Sequence, residues 1–214
     1  MFHHVTGNTR ARRTASIGTS GMGAIAAAII CVALISTARP VASRLTPISG
    51  STTVAGKPQA DVVVWLEAPA GQDSPDRRKV VLDQRNLQFA PRVLAVRTGT
   101  AVEFPNNDRV FHNVFSFRDG KRFDLGLYPI GSVKQVRFDK PGVSRVFCNI
   151  HPQMAAYVVS VDSPWFAVSA ADGRFTLPDV PAGTYTYQAW RAGGPTLTGR
   201  HTVQPASPLK IDWP

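Results

Sequence analysis

Cys148-Asn149-Ile150-His151-Pro152-Gln153-Met154 places a thiol, an imidazole and a thioether within one short segment. An apolar run at 143–147 precedes it and another at 156–161 follows, so the segment reads as a tight loop between two β-strands. Such a loop can fold its side chains toward one point, and a fourth donor must then come from elsewhere in the chain. His112 supplies it. It follows the turn Pro105-Asn106-Asn107-Asp108 and opens the apolar segment 113–117, which suits the end of a neighbouring strand.

The same pattern extends outward in both directions. After residue 44 helical periodicity is nearly absent, and short apolar runs recur between clusters of Gly, Pro, Asn and Asp, the pattern of an all-β sandwich. Strands are predicted over 62–67, 79–82, 93–97, 101–104, 113–117, 132–138, 143–147, 156–161, 174–177 and 184–190. Arg97-Thr98-Gly99-Thr100, Lys140-Pro141-Gly142, Asp172-Gly173 and Pro181-Ala182-Gly183 carry the residues that tight turns need. The polar stretch 70–78 reads as a linker or long loop, and a second junction falls at Asp162-Ser163-Pro164.

Residues 1–43 differ from the rest. Arg10, Arg12 and Arg13 precede an apolar run at 21–35 without a single acid, the composition of an export signal. Cleavage is expected after Ala38 or after Ser43, where small residues precede the cut; left uncleaved, the run would be a membrane anchor of marginal length. The chain from Arg44 keeps one cysteine (Cys148), one methionine (Met154) and three histidines (His112, His151, His201), so it has no internal disulfide. A lone cysteine in an oxidising compartment is a liability unless buried or bound to metal. From Arg44 the chain carries 20 basic residues against 14 acids. That balance suits an acidic partner or an anionic surface. With no basic helix and no interleaved Arg and aromatic run, nucleic-acid binding is not supported.

Taken singly, a buried cysteine is usually an inert hydrophobe and a methionine a gap-filler. Together at these spacings, His112, Cys148, His151 and Met154 point to a metal site. Two imidazoles and a thiolate in a plane with a weak axial thioether are the donors of blue-copper electron-transfer sites. Zinc also accepts a thiolate and two imidazoles, but would give the methionine no purpose.

Three stretches resemble the cupredoxins, the family of plastocyanin, azurin, pseudoazurin and amicyanin. They are Asn86-Leu87-Gln88-Phe89-Ala90-Pro91, the segment 99–107 leading to His112-Asn113-Val114, and the loop from Cys148 to Met154, whose two-residue gap between His151 and Met154 is similar to the amicyanin loop. The resemblance covers 79–161. It implies a Greek-key β-sandwich with one type 1 copper, bound through Nδ1 of both histidines and through Cys148, with Met154 axial. It also implies that Asn113 ties the two ligand loops together by hydrogen bonds.

The segments around that block resemble another module. Asp172-Gly173-Arg174-Phe175 through Pro181-Ala182-Gly183-Thr184-Tyr185 is similar to the carboxypeptidase regulatory-like β-sandwich, and 48–67 resembles its opening strands. The expected organisation is a signal at 1–43, a first β segment at 44–78, the copper domain at 79–161, and the rest of a second small sandwich at 162–214. Alternatively, 48–67 adds a strand to the copper domain. Trp65, Trp165, Trp190 and Tyr187 read as core or interface residues.

The functional expectation is an exported, periplasmic electron carrier with a redox partner, docking through Phe111, Ile150 and Pro152, with electrons crossing the edge of His151. Copper delivery without electron transfer, or a purely structural β protein, are the alternatives. An enzyme is not expected, because a second copper site needs further histidines and only His201 is spare.

Overall fold

Alternation dictates the strands. Along Thr100–Pro105 buried and half-buried side chains alternate residue by residue, and Arg174–Leu177 within a longer strand alternates exposed with buried, the period-two signature of a sheet with one face on a core. The computed structural model describes residues 45–69, 78–117 and 119–214. The expected leader, and all of the 70–78 loop except Arg78, lie outside the described residues.

In chain order the strands are β1 (Leu45–Val54), β2 (Lys57–Pro58), β3 (Val63–Leu66), β4 (Val80–Val81), β5 (Asp83–Arg85) and β6 (Gln88–Ala90). There follow β7 (Val93–Arg97), β8 (Thr100–Pro105), β9 (His112–Ser116), β10 (Phe123–Tyr128), β11 (Val133–Phe138) and β12 (Gly142–Phe147). The last six are β13 (Ala155–Val161), β14 (Phe166–Val168), β15 (Arg174–Pro181), β16 (Gly183–Trp190), β17 (Leu197–Val203) and β18 (Leu209–Trp213). No helix occurs among the described residues, and the all-β expectation holds.

The central block is built from a five-stranded sheet, β10-β9-β12-β13-β7, and a three-stranded sheet, β11-β8-β4, with the β5-β6 hairpin beside them. Their apolar faces share one core that includes Val102, Phe104, Val114, Phe138, Val146, Ala156 and Val158. Fully burying a side chain of this size is worth about 1.5–3 kcal/mol. Because side chains alternate along β12, Ser144 and Val146 face that core, and Cys148 beyond the strand end continues the same face.

Strands from the two chain ends interleave around a second core. β1 pairs antiparallel with β15 and parallel with β18, while β3 lies between β14 and β16. The sheets β15-β1-β18 and β14-β3-β16-β17 together supply Ile48, Val64, Leu66, Phe175, Leu177, Ala189, Ile211 and Trp213 to one apolar cluster. β1 and β3 therefore pair with C-terminal strands, β2 pairs with β1, and no strand of 48–67 adds to the sheets of the central block. Trp165 and Tyr187 belong to this second cluster. A third, formed by Val63, Val93, Val159 and Val161 with Trp65, Tyr157 and Trp190 against it, joins the outer face of β13 and β7 to β3 and β16.

Gly173 closes the Asp172-Gly173 turn at φ +76°, and a Cβ there would stand 2.5 Å from the Thr52 carbonyl oxygen, which also accepts the Gln59 amide. Gly173→Ala is expected to cost about 1–3 kcal/mol, from left-handed strain and the clash with backbone that cannot yield. Urea unfolding monitored by circular dichroism checks it.

Candidate metal centre

Two strand ends converge on the site. His112 is the first residue of β9, and Phe147, the last of β12, pairs directly across from Phe115 of β9. Cys148 follows at once. Its loop is closed by the Met154 amide donating to the His151 carbonyl at 2.9 Å and the Cys148 amide to the Met154 carbonyl at 3.4 Å. These bonds turn the seven-residue segment back on itself before β13 begins.

The three donor atoms form a small triangle. Nδ1 of His112 and Nδ1 of His151 are 3.1 Å apart, and Cys148 Sγ lies 3.9 Å from the first and 3.7 Å from the second. A point equidistant from all three lies about 2.1 Å from each, inside the roughly 2.0–2.3 Å span of transition-metal bonds to nitrogen and sulfur. His112 and Cys148 are buried, and His151 is half-buried at the surface. Among the described residues these form the one cluster of three such donors. Met154 is fully buried in the same core cluster as Cys148. A thiolate and two imidazoles make a donor set that suits copper better than a hard cation.

A polar scaffold beneath His112 aligns the triangle. Asn106 is fully buried, and its Nδ2 donates to the carbonyls of Val110 at 2.9 Å and Tyr128 at 3.1 Å. Its Oδ1 accepts the Asp108 amide at 3.0 Å. Gln84, also buried, donates from Nε2 to the Pro105 carbonyl at 3.0 Å and to the Tyr128 hydroxyl at 2.6 Å, and that hydroxyl donates to the Phe104 carbonyl. Burial raises the Tyr128 phenol well above the ordinary tyrosine range, so it stays a neutral donor. Asp108 Oδ2 stands 3.0 Å from Nε2 of His112. Burial pushes the Asp108 carboxyl up, but hydrogen bonds from the Leu87 amide, His112 and the Arg109 amide outweigh it and hold its pKa at about 2.

The sequence reading did not single out Asn106, Asp108, Gln84 or Tyr128 for the site. The signal available was the Asn-Asn-Asp run in the turn before His112, since Asx side chains fold back onto nearby backbone amides. Asn113 differs from the expectation in a specific way. Its Nδ2 donates to Asp124 Oδ1 on β10 at 2.8 Å, and its buried Oδ1 has no partner, so it ties β9 to β10 rather than to the loop carrying Cys148. His201 lies on β17, in the other pair of sheets.

Residues 77–161 match the family described as copper binding proteins, plastocyanin/azurin family. No curated protein matches. Among solved structures, a purple cupredoxin from Nitrosopumilus maritimus is 25% identical with a TM-score of 0.35, over 39% of this chain and 98% of its own. The amicyanin of Paracoccus versutus is 18% identical with a TM-score of 0.36, over 48% of this chain and all of its own. A copper-containing nitrite reductase from Thermus scotoductus is 24% identical with a TM-score of 0.38, over 44% of this chain but a quarter of its own length. Family match and donor triangle coincide on the same segment of sequence: the chain carries a cupredoxin domain of the plastocyanin/azurin family over residues 77–161, with one copper ion as its cofactor.

Proposed function

We propose that His112, Cys148, His151 and Met154 hold the copper and that the protein is an exported carrier of single electrons. The observation that carries this reading is the triangle of Nδ1, Nδ1 and Sγ at the end of a packed β-sandwich. Copper in such a set alternates between Cu(I) and Cu(II). The chain's own contribution is rigidity. Two of the three donors are buried, both histidines are anchored by their strand or loop, and the surrounding core leaves little room for rearrangement.

His151 is the donor nearest solvent; its chain neighbours Ile150 and Pro152 are exposed, Ile150 at 48%, and Phe111, next to His112, is 52% exposed. Apolar side chains of this size at the surface suit transient docking of a redox partner. The excess of basic residues suits a partner with acidic groups. The arginine-led apolar run at 21–35 supports export to the periplasm. The strand pairing supports the division into 44–78, 79–161 and 162–214, with the outer two segments forming one regulatory-like sandwich into which the copper domain is inserted.

The test is the visible spectrum and copper content of the chain from Arg44 after reconstitution with Cu(II), beside Cys148→Ser. An intense thiolate-to-copper band at one copper per chain, absent from the variant, is expected, together with fast reversible electrochemistry. A colourless protein without stoichiometric copper would sink the reading in favour of zinc binding or a structural role. Ready transfer of copper to a chelator with sluggish electrochemistry would favour delivery.

A further inference from the structure

Asp108 makes more contacts at the site than a turn residue needs. Its Oδ2 receives the Leu87 amide at 2.7 Å and faces His112 Nε2 at 3.0 Å, while its Oδ1 receives the Arg109 amide at 2.8 Å. The side chain is 12% exposed, and that of His112 is not exposed at all. The Leu87 amide comes from the two-residue tip of the β5-β6 hairpin, where Asn86 and Leu87 both sit in the left-handed region at φ +54° and +56°. A turn of this kind ordinarily takes glycine at its second position. A leucine held there presents its N–H directly to the carboxylate. Asn107 adds a second tie to the same hairpin, donating from Nδ2 to Asp83 Oδ1 at 2.8 Å and from its amide to the Gln84 carbonyl.

Each carboxylate oxygen already accepts a backbone amide, so Asp108 faces His112 as an acceptor and the 3.0 Å contact places the ring proton on Nε2. The lone pair then lies on Nδ1, the atom facing His151 and Cys148. Such a partner also makes the imidazole a stronger donor, and its negative charge favours the more highly charged metal. Resting on the copper reading above, we propose that Asp108 is a positioning residue of the centre: held by the β5-β6 hairpin, it fixes the tautomer and orientation of His112 and lowers the reduction potential by favouring Cu(II). Asp108 touches no metal and acts only through the ring of His112.

Two measurements test this. Spectroelectrochemistry of the copper-loaded protein compares wild type, Asp108→Asn and Asp139→Asn. The last is an equal change of charge at an exposed aspartate that pairs with Lys121, just beyond the end of β11 that lies opposite Thr100. Asp108→Asn is expected to weaken Cu(II) binding roughly tenfold to a hundredfold relative to Cu(I). Each tenfold raises the potential by about 59 mV. Asp139→Asn is expected to keep the wild-type potential, and equal potentials in the two variants would overturn the proposal. Nitrogen-15 NMR of the metal-free wild-type protein is independent of any variant's folding: a proton on Nε2 of His112 supports the assignment, and a proton on Nδ1 refutes it. A wild-type protein that binds no copper would defeat the copper reading, while the tautomer would still decide whether Asp108 orients His112.

Discussion

Asn106→Ala is expected to lower the stability of the metal-free protein by about 2–4 kcal/mol. The side chain is fully buried and makes three hydrogen bonds, two to carbonyls and one from an amide. Each is worth about 0.5–1.5 kcal/mol net, and leaving a buried partner unsatisfied costs more. The backbone bonds of residue 106, from its amide to Ser132 and from the Gly131 amide to its carbonyl, survive in alanine, so the loss reads the side chain alone. Copper affinity should fall with stability, because the lost bonds hold the segment from Asp108 to Val110 that carries the chain into His112. Urea unfolding beside Asn107→Ala provides the check. Asn107 is exposed and has one side-chain bond, to Asp83, so its replacement should cost well under half as much. Equal losses would show that Asn106 does not organise the turn.

How far the site could be read in advance follows from the range of each interaction. Cys148 and His151 share one loop, and His112 opens the strand paired with β12, so donor chemistry and strand rhythm pointed to the three side chains that the structure brings together. The strands around them were also legible, because β8 and β11 alternate cleanly and β13 is a short valine-rich run buried on both faces. The scaffold was not. Gln84 finds Tyr128 across 44 residues and Asn106 finds the Tyr128 carbonyl across 22, and in sequence each is simply a polar residue near a turn. The predicted list also lacked β1, β10, β17, β18 and several short strands. In β10 the pairing shifts register between Asp124 and Leu127, around a glycine at φ +62°, which breaks the alternation that pattern reading depends on. In β17 the half-exposed sequence Leu-Thr-Gly-Arg-His-Thr-Val has too few apolar residues to stand out.

Asn113 shows the limit of carrying a role over from a resemblance. An amide beside the first histidine has the right chemistry to bridge two loops, but where it reaches depends on its neighbours. Here β10 lies alongside β9 and offers the Asp124 carboxylate, a stronger acceptor than a backbone carbonyl, and the side chain turns that way. The linkage beneath His112 is then provided by the turn at 106–108 and the β5-β6 hairpin, so the elements that hold the first histidine precede it in sequence.

The joint between the two cores sets the second large effect. Trp213→Ala is expected to cost about 3–5 kcal/mol, as for other buried tryptophans. The ring is 1% exposed in the outer core, its Nε1 donates to the Pro195 carbonyl at 3.1 Å, and the Arg191 guanidinium lies over it at 5.6 Å. Against a total stability of about 5–15 kcal/mol, this is a large fraction. The consequence should reach the copper site, because Val63 of β3 packs with Val93, Val159 and Val161 on the outer face of the sheet that carries Cys148. A seam without exposed apolar side chains in its core favours one cooperative transition over two. The sequence supplies separate reporters for the two blocks: all four tryptophans, Trp65, Trp165, Trp190 and Trp213, lie outside 77–161, whereas the copper band belongs to the cupredoxin domain. In Trp213→Ala the native signal of the remaining tryptophan fluorescence and the blue absorption should be lost together, at a denaturant concentration well below that of the parent protein. If fluorescence were lost while the copper band persisted, the seam would not couple the blocks, and the cupredoxin domain would stand without its flanks.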